Sequence, residues 1–318
     1  MRQLQLGKTN LDEFAGALLA LAQQDRNILV VTGDSRGSGK LVPFGKALPD
    51  QIVEVGIAEQ NLVGIASGLA AGGKKVYAVS PSCFMTARSL EQIKNDIAYS
   101  NHPVKLIGIS AGVSYGNLGT THHSLHDYAS LLAIHNIDIV TPADNFETRQ
   151  AILASVEYPR PLYIRFGKKP MFDLHQPGQT FQIGKAIPIM QGTDLVFVTT
   201  GEPTWRAVEA AQLLRAEGVS AGVLSMHTLR PFDEEAFIEL ARRVKVIITV
   251  EEHSINGGLG SLCAALLMRC RLYLPLQTVA IPDAYIVTGS QDDIFQHYGF
   301  TPQALAATAI ESLHQAGA

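Results

Sequence analysis

The stretch VEVGIAEQN, residues 53–61, runs from a short apolar strand through a glycine into the first turn of a helix. Glu59 stands in that turn among apolar neighbours, which include Val55 and Ile57. A carboxyl group in apolar surroundings is unfavourable in its charged form, and such groups concentrate at functional sites. On the local sequence alone, a glutamate that only complements the helix dipole is an equal alternative. The stretch therefore predicts a strand-to-helix turn and nominates Glu59 as a candidate catalytic residue.

Around this turn, apolar runs alternate with segments whose apolar residues recur at helical spacing. Continuous apolar strands separated by amphipathic helices are typical of a parallel sheet covered by helices on both faces. This first series has expected strands at 28–32, 52–55, 76–79, 104–109, 137–141 and 162–165, with helices at 11–24, 58–71, 86–99, 127–134 and from 145 onward.

A second α/β series follows a segment of little periodicity that contains Pro170, Pro177 and Gly178. Its strands are expected at 195–199, 221–224, 246–250 and 277–281. Its helices are expected to begin near residues 203, 233, 258 and 301. We therefore expect an α/β protein of two three-layer domains with parallel sheets. The expected boundaries are 1–168 for the first domain, 169–188 for the linker and 189–318 for the second domain.

The composition predicts a globular protein that handles small molecules or protein surfaces. Of the 318 residues, 47% are hydrophobic and 17% are charged, and the formal net charge is -4. This balance argues against nucleic-acid and membrane-surface binding, which favour clustered Lys and Arg. No apolar run approaches the length of a membrane span, and Asp12 and Glu13 interrupt the place of a signal peptide. Cys83, Cys263 and Cys270 are odd in number and lack CxxC spacing, so we expect free thiols and a cytoplasmic location.

Two glycine-rich motifs resemble phosphate-binding loops but do not match them. The segment GDSRGSGK, residues 33–40, has glycine spacing that is off by one for a nucleoside triphosphatase, and Leu41 stands where Ser or Thr would bind magnesium. GGLG, residues 257–260, opens a helix after a strand but lacks the full dinucleotide-binding spacing. Close packing of that helix on the sheet is the better explanation for its glycines.

The histidines His122, His123 and His126 suggest a metal site at first sight. Beyond Asp127, however, no thiolate or carboxylate stands at a spacing that would complete a ligand set. We therefore expect no metal to be held by this chain.

Several short motifs, each weak alone, form together a specific pattern that resembles the transketolase family over nearly the whole chain. The motifs are Gly56-Ile57-Ala58-Glu59, Phe84 with Arg88, Gly119-Thr120-Thr121-His122, Thr141-Pro142-Ala143-Asp144, and Glu251-Glu252-His253 before Gly257-Gly258-Leu259-Gly260. The resemblance implies the C-terminal section of a transketolase, in which a pyrimidine-binding domain precedes the transketolase C-terminal domain.

The resemblance further implies that this chain binds the pyrimidine half of thiamine diphosphate. In the family, the glutamate that matches Glu59 hydrogen-bonds a ring nitrogen of the aminopyrimidine and so promotes deprotonation of the thiazolium carbon. Such a carboxyl group must hold or share a proton near neutral pH, although an ordinary glutamate titrates at about 4.3, so apolar surroundings are expected around it. Phe84 matches the aromatic residue that stacks on the pyrimidine ring. Asp34 and Ile57 match cofactor-facing positions, although Asp34 has the alternative role of capping a turn.

The loop at 119–122 implies contacts with a sugar substrate. His122 matches the histidine that contacts the donor's hydroxyl groups and moves protons as the carbon–carbon bond breaks and forms, a role that suits an imidazole near neutral pH. A loop histidine satisfied by the backbone is the alternative. Four residues earlier, where the family places an aspartate that reads a hydroxyl, this chain has Leu118. For His253, in the second domain, a structural or subunit-contact role is expected.

The family's phosphate ligands are replaced at several positions in this chain. The family's histidine falls on Ser110 and its first arginine near Asn10, whereas Ser38 matches its serine and Lys168 replaces its second arginine. A lysine supplies a point charge without the bidentate fork of arginine. Arg36 is the candidate for a positive charge from a new direction. We therefore expect a substrate outside the ordinary pentose-phosphate set, with a differently placed phosphate or a sulfonate, or with a branched or deoxygenated sugar.

The sequence contains no Gly-Asp-Gly motif with a downstream Asn, which in the family holds the diphosphate through Mg²⁺ or Ca²⁺. The resemblance therefore implies a second polypeptide, a diphosphate-binding N-terminal subunit that holds the metal ion, and an α2β2 heterotetramer with the site between chains. The expected reaction is transfer of a two-carbon ketol unit from a ketose phosphate or related anionic ketose to an aldose. The alternatives are the beta subunit of a 2-oxoacid dehydrogenase decarboxylase, deoxyxylulose-phosphate synthase, and a non-catalytic scaffold subunit of the same fold.

Overall fold

The computed structural model describes residues 3–176 and 178–317. Pro177 of the expected linker lies outside the described residues. The strands are β1 (Leu6–Thr9), β2 (Ile28–Thr32), β3 (Ile52–Glu54), β4 (Lys75–Pro81), β5 (Lys105–Ile109), β6 (Asp138–Val140), β7 (Leu162–Arg165), β8 (Pro170–Phe172), β9 (Ile187–Met190), β10 (Leu195–Thr200), β11 (Ala221–Ser225), β12 (Thr228–Arg230), β13 (Val246–Ser254) and β14 (Leu276–Ile281).

The helices alternate with these strands along the chain. They are α1 (Asn10–Ala22), α2 (Val42–Ala47), α3 (Glu59–Ala71), α4 (Ser82–Arg88), α5 (Leu90–Gln92), α6 (Asp127–Leu132), α7 (Asn145–Ser155), α8 (Thr204–Ala216), α9 (Glu234–Ala241), α10 (Leu259–Arg269), α11 (Gln291–His297) and α12 (Pro302–Gly317). Short 3₁₀ turns lie at Pro49–Gln51 and Gly116–Leu118, and a π-helix lies at Ile93–Tyr99. Within the described residues, no helix is both long and apolar enough to cross a membrane.

Two main sheets are formed. The larger one has the strand order β12-β6-β7-β5-β4-β2-β3, and the smaller one has the order β14-β13-β10-β11-β9. All residues of β5, β7, β10 and β11 are buried, as expected for parallel strands covered on both faces. The α/β fold of two layered domains is therefore confirmed.

Each main sheet also carries one antiparallel edge strand, which the sequence did not predict. The β12 strand pairs antiparallel with β6, with Thr228 opposite Val140, and β9 pairs antiparallel with β11. An antiparallel edge strand needs no crossover helix to connect it. These two strands have only three and four residues, which is too short for a periodic pattern. In the segment expected to be a linker, β8 pairs antiparallel with β1, with Thr9 opposite Pro170. Because β12 follows the second-domain strand β11, its pairing with β6 joins the two α/β series.

The helix expected at 86–99 is divided differently. The α4 helix begins at Ser82, and the π-helix follows α5. The hydroxyl groups of Thr86 and Ser89 donate to the carbonyls of Ser82 and Met85, four residues back, at 2.8 and 2.6 Å. Such bonds compete with the helical ladder and favour an irregular helix. As a result, Phe84 lies inside a helix that starts directly at the end of β4.

Candidate active site

The candidate residues follow the carboxyl ends of neighbouring parallel strands. Asp34, Arg36 and Ser38 follow β2, Glu59 follows β3, Phe84 follows β4, the loop 110–126 follows β5, and Lys168 follows β7. These five strands are adjacent in the sheet order β7-β5-β4-β2-β3. Loops at the carboxyl ends of parallel strands form the usual ligand-binding edge of an α/β sheet.

Glu59 is the first residue of α3, and its side chain is only 8% exposed. Arg88, the last residue of α4, donates from Nη1 to Oε1 of Glu59 at 2.8 Å. The Cζ atom of Arg88 also lies 4.0 Å from the centre of the Phe84 ring. The structure therefore brings Glu59 and Phe84 together, with the Arg88 guanidinium between them.

Two cavities open at this edge. One, of about 540 Å³, is lined by residues 57–61 and Arg88. The other, of about 450 Å³, is lined by Phe84, Arg88, Thr120 and Thr121, among others. Arg88 is the lining residue common to both cavities.

His122 lies beside the same aromatic residue. Its ring centre is 5.2 Å from that of Phe84 and 5.4 Å from that of Tyr115, both in edge-on geometry. The Oγ1 atom of Thr121 lies 2.9 Å from its Nδ1. His122 is thus held by two ring contacts while remaining half-buried, and its imidazole stays accessible.

Tyr115 connects the histidine loop to the residues that match phosphate ligands. The Nζ atom of Lys168 lies 4.6 Å from the centre of the Tyr115 ring. Burial raises the pKa of Tyr115, and the nearby hydroxyl groups of Ser110 and Ser38 oppose that rise. Ser110 itself is fully buried and has a positive φ of 54°. Lys168, Ser110 and Ser38 therefore converge on one tyrosine.

The loop after β2 is organised by Glu54, the last residue of β3. The backbone N–H of Asp34 donates to Oε1 of Glu54 at 2.7 Å, and Arg36 donates from Nε to Oε2 at 3.2 Å. Asp34 has a positive φ of 51°, so this contact fixes a left-handed backbone residue. Arg36 is thus already paired with a carboxylate, whereas Ser38 is exposed.

The structure changes the expectation for Ile57 and gives the surroundings of Leu118 and Asn10. Ile57 is 74% exposed, so it does not belong to the apolar surroundings expected around Glu59. Leu118 is 54% exposed and lies on the Gly116–Leu118 turn. Asn10 is buried, and its side-chain amide donates to the carbonyl of Pro142 and accepts from Asn145.

The nearby histidines are engaged separately. The Nε2 atom of His123 lies 3.0 Å from the carbonyl oxygen of Gly116, and Nε2 of His126 lies 3.2 Å from Oγ1 of Thr86. His253 is fully buried, and its ring stacks on Tyr128 at 4.6 Å. Burial lowers the pKa of His253 to about 4, so its ring is neutral near pH 7.

The glycines of the GGLG segment serve close packing, as predicted. Glu251 accepts hydrogen bonds from the N–H groups of Leu259 and Gly260 at 2.7 and 2.8 Å. An added Cβ atom at Gly258 would lie 2.0 Å from Oε2 of Glu251, and one at Gly260 would lie 2.5 Å from Oγ1 of Thr278. Larger residues at either position would collide with this buried carboxyl group or with β14.

Sequence reasoning missed two residues of the site. Tyr115 has no motif of its own, and its only signal is an aromatic residue among the glycines of a strand-to-loop segment. Glu54 is visible only as the polar end of an apolar strand. Arg88 belongs to a sequence motif, but its pairing with Glu59 depends on two helix ends that only the fold brings together.

Two family models match the chain. The transketolase pyrimidine-binding domain matches residues 9–171, and the transketolase C-terminal domain matches residues 184–305. Together with the conjunction of Glu59, Phe84 and His122 at one sheet edge, these matches confirm the predicted resemblance.

Similar proteins carry related names. The chain is 45% identical to one of the subunits of the apulose-4-phosphate transketolase of Phocaeicola vulgatus, over 94% of this chain and 95% of the relative. It is 31% identical to 6-deoxy-6-sulfo-D-fructose transketolase subunit SqwH of Clostridium sp. (strain MSTE9), over 94% and 93%. A solved structure described as a split gene transketolase, inactive beta4 tetramer, superposes with a TM-score of 0.89 at 32% identity, over 97% of this chain and 99% of the other. The chain therefore belongs to the thiamine-dependent transketolase family, as a transferase subunit made of the pyrimidine-binding and C-terminal domains.

Proposed function

We propose that this chain binds the pyrimidine half of thiamine diphosphate and transfers ketol units only together with a second, diphosphate-binding subunit. The observation that carries the proposal is the position of Glu59. Its nearly buried carboxyl group borders a cavity, next to the ring of Phe84. Nearly buried ionisable groups that line a cavity concentrate at functional sites.

The residues at this edge fit the aminopyrimidine of the cofactor. Glu59 would hold the ring nitrogen, and Phe84 offers an aromatic face for stacking. When bound, the cofactor supplies the nucleophilic carbon and the electron sink for ketol transfer. Glu59 would hold and return the proton at the ring nitrogen, and the loop of Asp34 would border the cofactor.

His122 is the proposed proton-transfer residue for the sugar. Its imidazole is half-buried beside Phe84 and Tyr115, and these contacts fix the plane of the ring. A histidine at this position would take a proton from the donor's hydroxyl group and give one to the product. Lys168, which lies over the Tyr115 ring, would attract the anionic group of the sugar.

The proposed partner is an N-terminal transketolase subunit that holds the diphosphate and Mg²⁺ or Ca²⁺, in an α2β2 heterotetramer. Ile57 is 74% exposed and lines the cavity that contains Glu59, where the second subunit would cover it. The similar split-gene transketolase is described as an inactive tetramer of beta chains, which fits a requirement for a second subunit. Free cysteines favour a cytoplasmic location.

The proposed donor is a branched ketose phosphate, namely apulose 4-phosphate. The relative with 45% identity bears the name of a transketolase for this sugar. The site supports a departure from ordinary pentose phosphates, because Leu118 offers no hydrogen bond where the family reads a hydroxyl. A sulfosugar is the competing donor, since another relative bears the name of a sulfofructose transketolase.

The test is reconstitution with the partner subunit, followed by comparison of donors. The isolated chain should transfer no ketol unit, and the assembled pair should turn over apulose 4-phosphate at a higher kcat/KM than xylulose 5-phosphate, fructose 6-phosphate or 6-deoxy-6-sulfofructose. Robust turnover by the chain alone would contradict the shared active site. A preference for xylulose 5-phosphate or for the sulfosugar would contradict the proposed donor alone.

A further inference from the structure

Arg88 makes, within this chain, the two contacts that the proposed function assigns to the aminopyrimidine. Its Nη1 donates to Oε1 of Glu59 at 2.8 Å, and its Cζ lies 4.0 Å from the centre of the Phe84 ring. A guanidinium and an aminopyrimidine are both planar, and both carry an N–C–N unit that can meet a carboxyl group edge-on. The two groups therefore compete for one carboxyl oxygen and one aromatic face.

The cavities lead to the same conclusion. Glu59 faces the cavity of about 540 Å³, whereas Phe84 faces the cavity of about 450 Å³. Arg88 lines both of them. A ring that touches Glu59 and Phe84 at once must therefore occupy the space in which the Arg88 guanidinium now lies.

The two side chains of the pair differ in exposure. Arg88 is free to leave, because its side chain is 48% exposed and stands at the end of α4, whereas the side chain of Glu59 is 8% exposed. Unpaired, Glu59 would be a nearly buried charge without a partner, which explains why the resting chain keeps Arg88 in place.

We propose that Arg88 is a placeholder that occupies the aminopyrimidine site of the unassembled subunit and is displaced when the cofactor binds. The inference rests on the proposed function of Glu59 and Phe84. Arg88 is then a positioning residue, which keeps the carboxylate satisfied and the two cavities separate until the ring arrives. The resting chain should therefore bind the aminopyrimidine more weakly than a chain without Arg88. Part of the binding free energy is used to displace Arg88 from Glu59 and Phe84.

The test uses the isolated full chain and the cofactor's own pyrimidine fragment, 4-amino-5-hydroxymethyl-2-methylpyrimidine, as the probe. Binding is measured by ligand-observed NMR for the wild type, Arg88→Ala and Arg88→Lys. We expect Arg88→Ala to bind the fragment about 3- to 10-fold more tightly, the range of one displaced charge-assisted contact. Arg88→Lys keeps the charge but loses the planar stack, so its affinity should lie between the other two.

Salt provides a readout that a merely structural role would not move. Raising the salt concentration from 0.05 to 0.5 M shortens the Debye length about threefold and so weakens the half-exposed Arg88–Glu59 ion pair. Fragment binding should therefore become tighter in the wild type but not in Arg88→Ala. Arg149→Ala is the matched control, since Arg149 is 56% exposed and pairs with Glu13 on another helix, and it should leave the affinity unchanged.

If Arg88→Ala binds the fragment no more tightly than the wild type, the inference is wrong, because removing Arg88 then opens no binding site for the ring. That result would leave the proposed function standing. The proposed function fails instead if Glu59→Gln retains full turnover in the assembled pair, so the two failures are distinguishable.

Discussion

Arg165, the last residue of β7, donates from Nε to Oδ2 of Asp127, the first residue of α6, at 2.7 Å, and both side chains are buried. Nη2 of the same guanidinium donates to the carbonyls of Ser124 at 3.1 Å and Glu252 at 2.8 Å. One arginine thus anchors the end of the His122 loop and the second-domain strand β13. This pair therefore holds the C-terminal end of the loop that carries the candidate catalytic histidine.

We expect Asp127→Asn to lower the free energy of unfolding by about 3–5 kcal/mol, because the substitution leaves the Arg165 charge buried without its partner. The measurement is urea denaturation of the isolated chain at pH 7. Glu157→Gln, which removes an exposed partner of Lys75, is the control and should change stability by about 1 kcal/mol or less. Equal midpoints for Asp127→Asn and the wild type would show that the pair is not a structural anchor.

The same pair has an acid dependence of definite sign. Burial alone raises the pKa of Asp127, but Arg165 and hydrogen bonds outweigh it and hold the pKa below its ordinary value. Because the pKa of Asp127 is lower in the folded state, the pair contributes its full stability at pH values above the ordinary aspartate pKa. This stability is lost as the pH falls through the pKa of the folded state. The stability difference between wild type and Asp127→Asn should therefore shrink on acidification below about pH 4.

Glu59→Gln should reduce ketol transfer by the assembled pair about 10²- to 10⁴-fold while leaving the fold intact. An amide can hydrogen-bond the pyrimidine ring but cannot exchange a proton with it. Hydrogen–deuterium exchange at the thiazolium carbon measures this step directly. Glu91→Gln, an exposed substitution on α5, is the control. Exchange at the wild-type rate in Glu59→Gln would rule out Glu59 as the activating residue.

His175 holds the segment between the two α/β series through a buried carboxylate pair. Its Nδ1 lies 2.7 Å from Oδ2 of Asp144, and its Nε2 lies 3.2 Å from Oε1 of Glu147. Burial alone lowers the pKa of His175, but these two carboxylates raise it to about 10. Because the folded-state pKa exceeds the ordinary value of 6.5, this stability is complete below 6.5 and is lost as pH rises towards 10.

The His175→Gln variant should therefore be less stable than the wild type by about 3 kcal/mol at pH 7. The difference in Tm between the two proteins should narrow steadily from pH 7 to pH 10, which thermal unfolding in a pH series measures. His135→Gln is a control at an exposed histidine, and its Tm should follow that of the wild type throughout. Parallel curves for His175→Gln and the wild type would contradict a charged His175.

Lys168→Gln should raise the KM for a ketose phosphate about 10-fold, because it removes the cation that lies over the Tyr115 ring. The kcat should change less, since Lys168 is assigned to binding rather than proton transfer. Lys169→Gln is a matched control next in the chain, and its ammonium group pairs instead with Asp292. A KM unchanged in Lys168→Gln would place the anionic group of the sugar elsewhere.

Much of the fold could be predicted because its strands are continuous apolar runs with clear limits. The expected strands at 28–32 and 162–165 have the observed bounds. The β12 strand could not be predicted, because three residues that join a distant sheet edge carry no periodic signal. The irregular helix after β4 depends on hydroxyl bonds of Thr86 and Ser89 to the backbone, which propensity does not reveal.

For the site, the sequence could identify residues but not their partners. Motifs nominate Glu59, Phe84 and His122, and the sheet order places them together. The Arg88 contact to Glu59 and the Glu54 contact to Arg36 join residues 29 and 18 positions apart. These contacts depend on where the ends of separate strands and helices meet, so a residue pattern along one segment cannot supply them.

Leu118→Asp should shift donor preference towards unbranched ketose phosphates. Leu118 is 54% exposed on the Gly116–Leu118 turn, so a carboxylate there costs little stability and restores the acceptor that the family places four residues before the loop histidine. A site that gains a partner for a substrate hydroxyl gains discrimination for it. We expect the ratio of kcat/KM for xylulose 5-phosphate over apulose 4-phosphate to rise about 10-fold, the effect of one added hydrogen bond. Asn117→Asp adds the same charge one residue away and serves as the control. An equal change in both variants would mean that charge alone moves the preference, and an unchanged ratio in Leu118→Asp would mean that this position does not face the sugar.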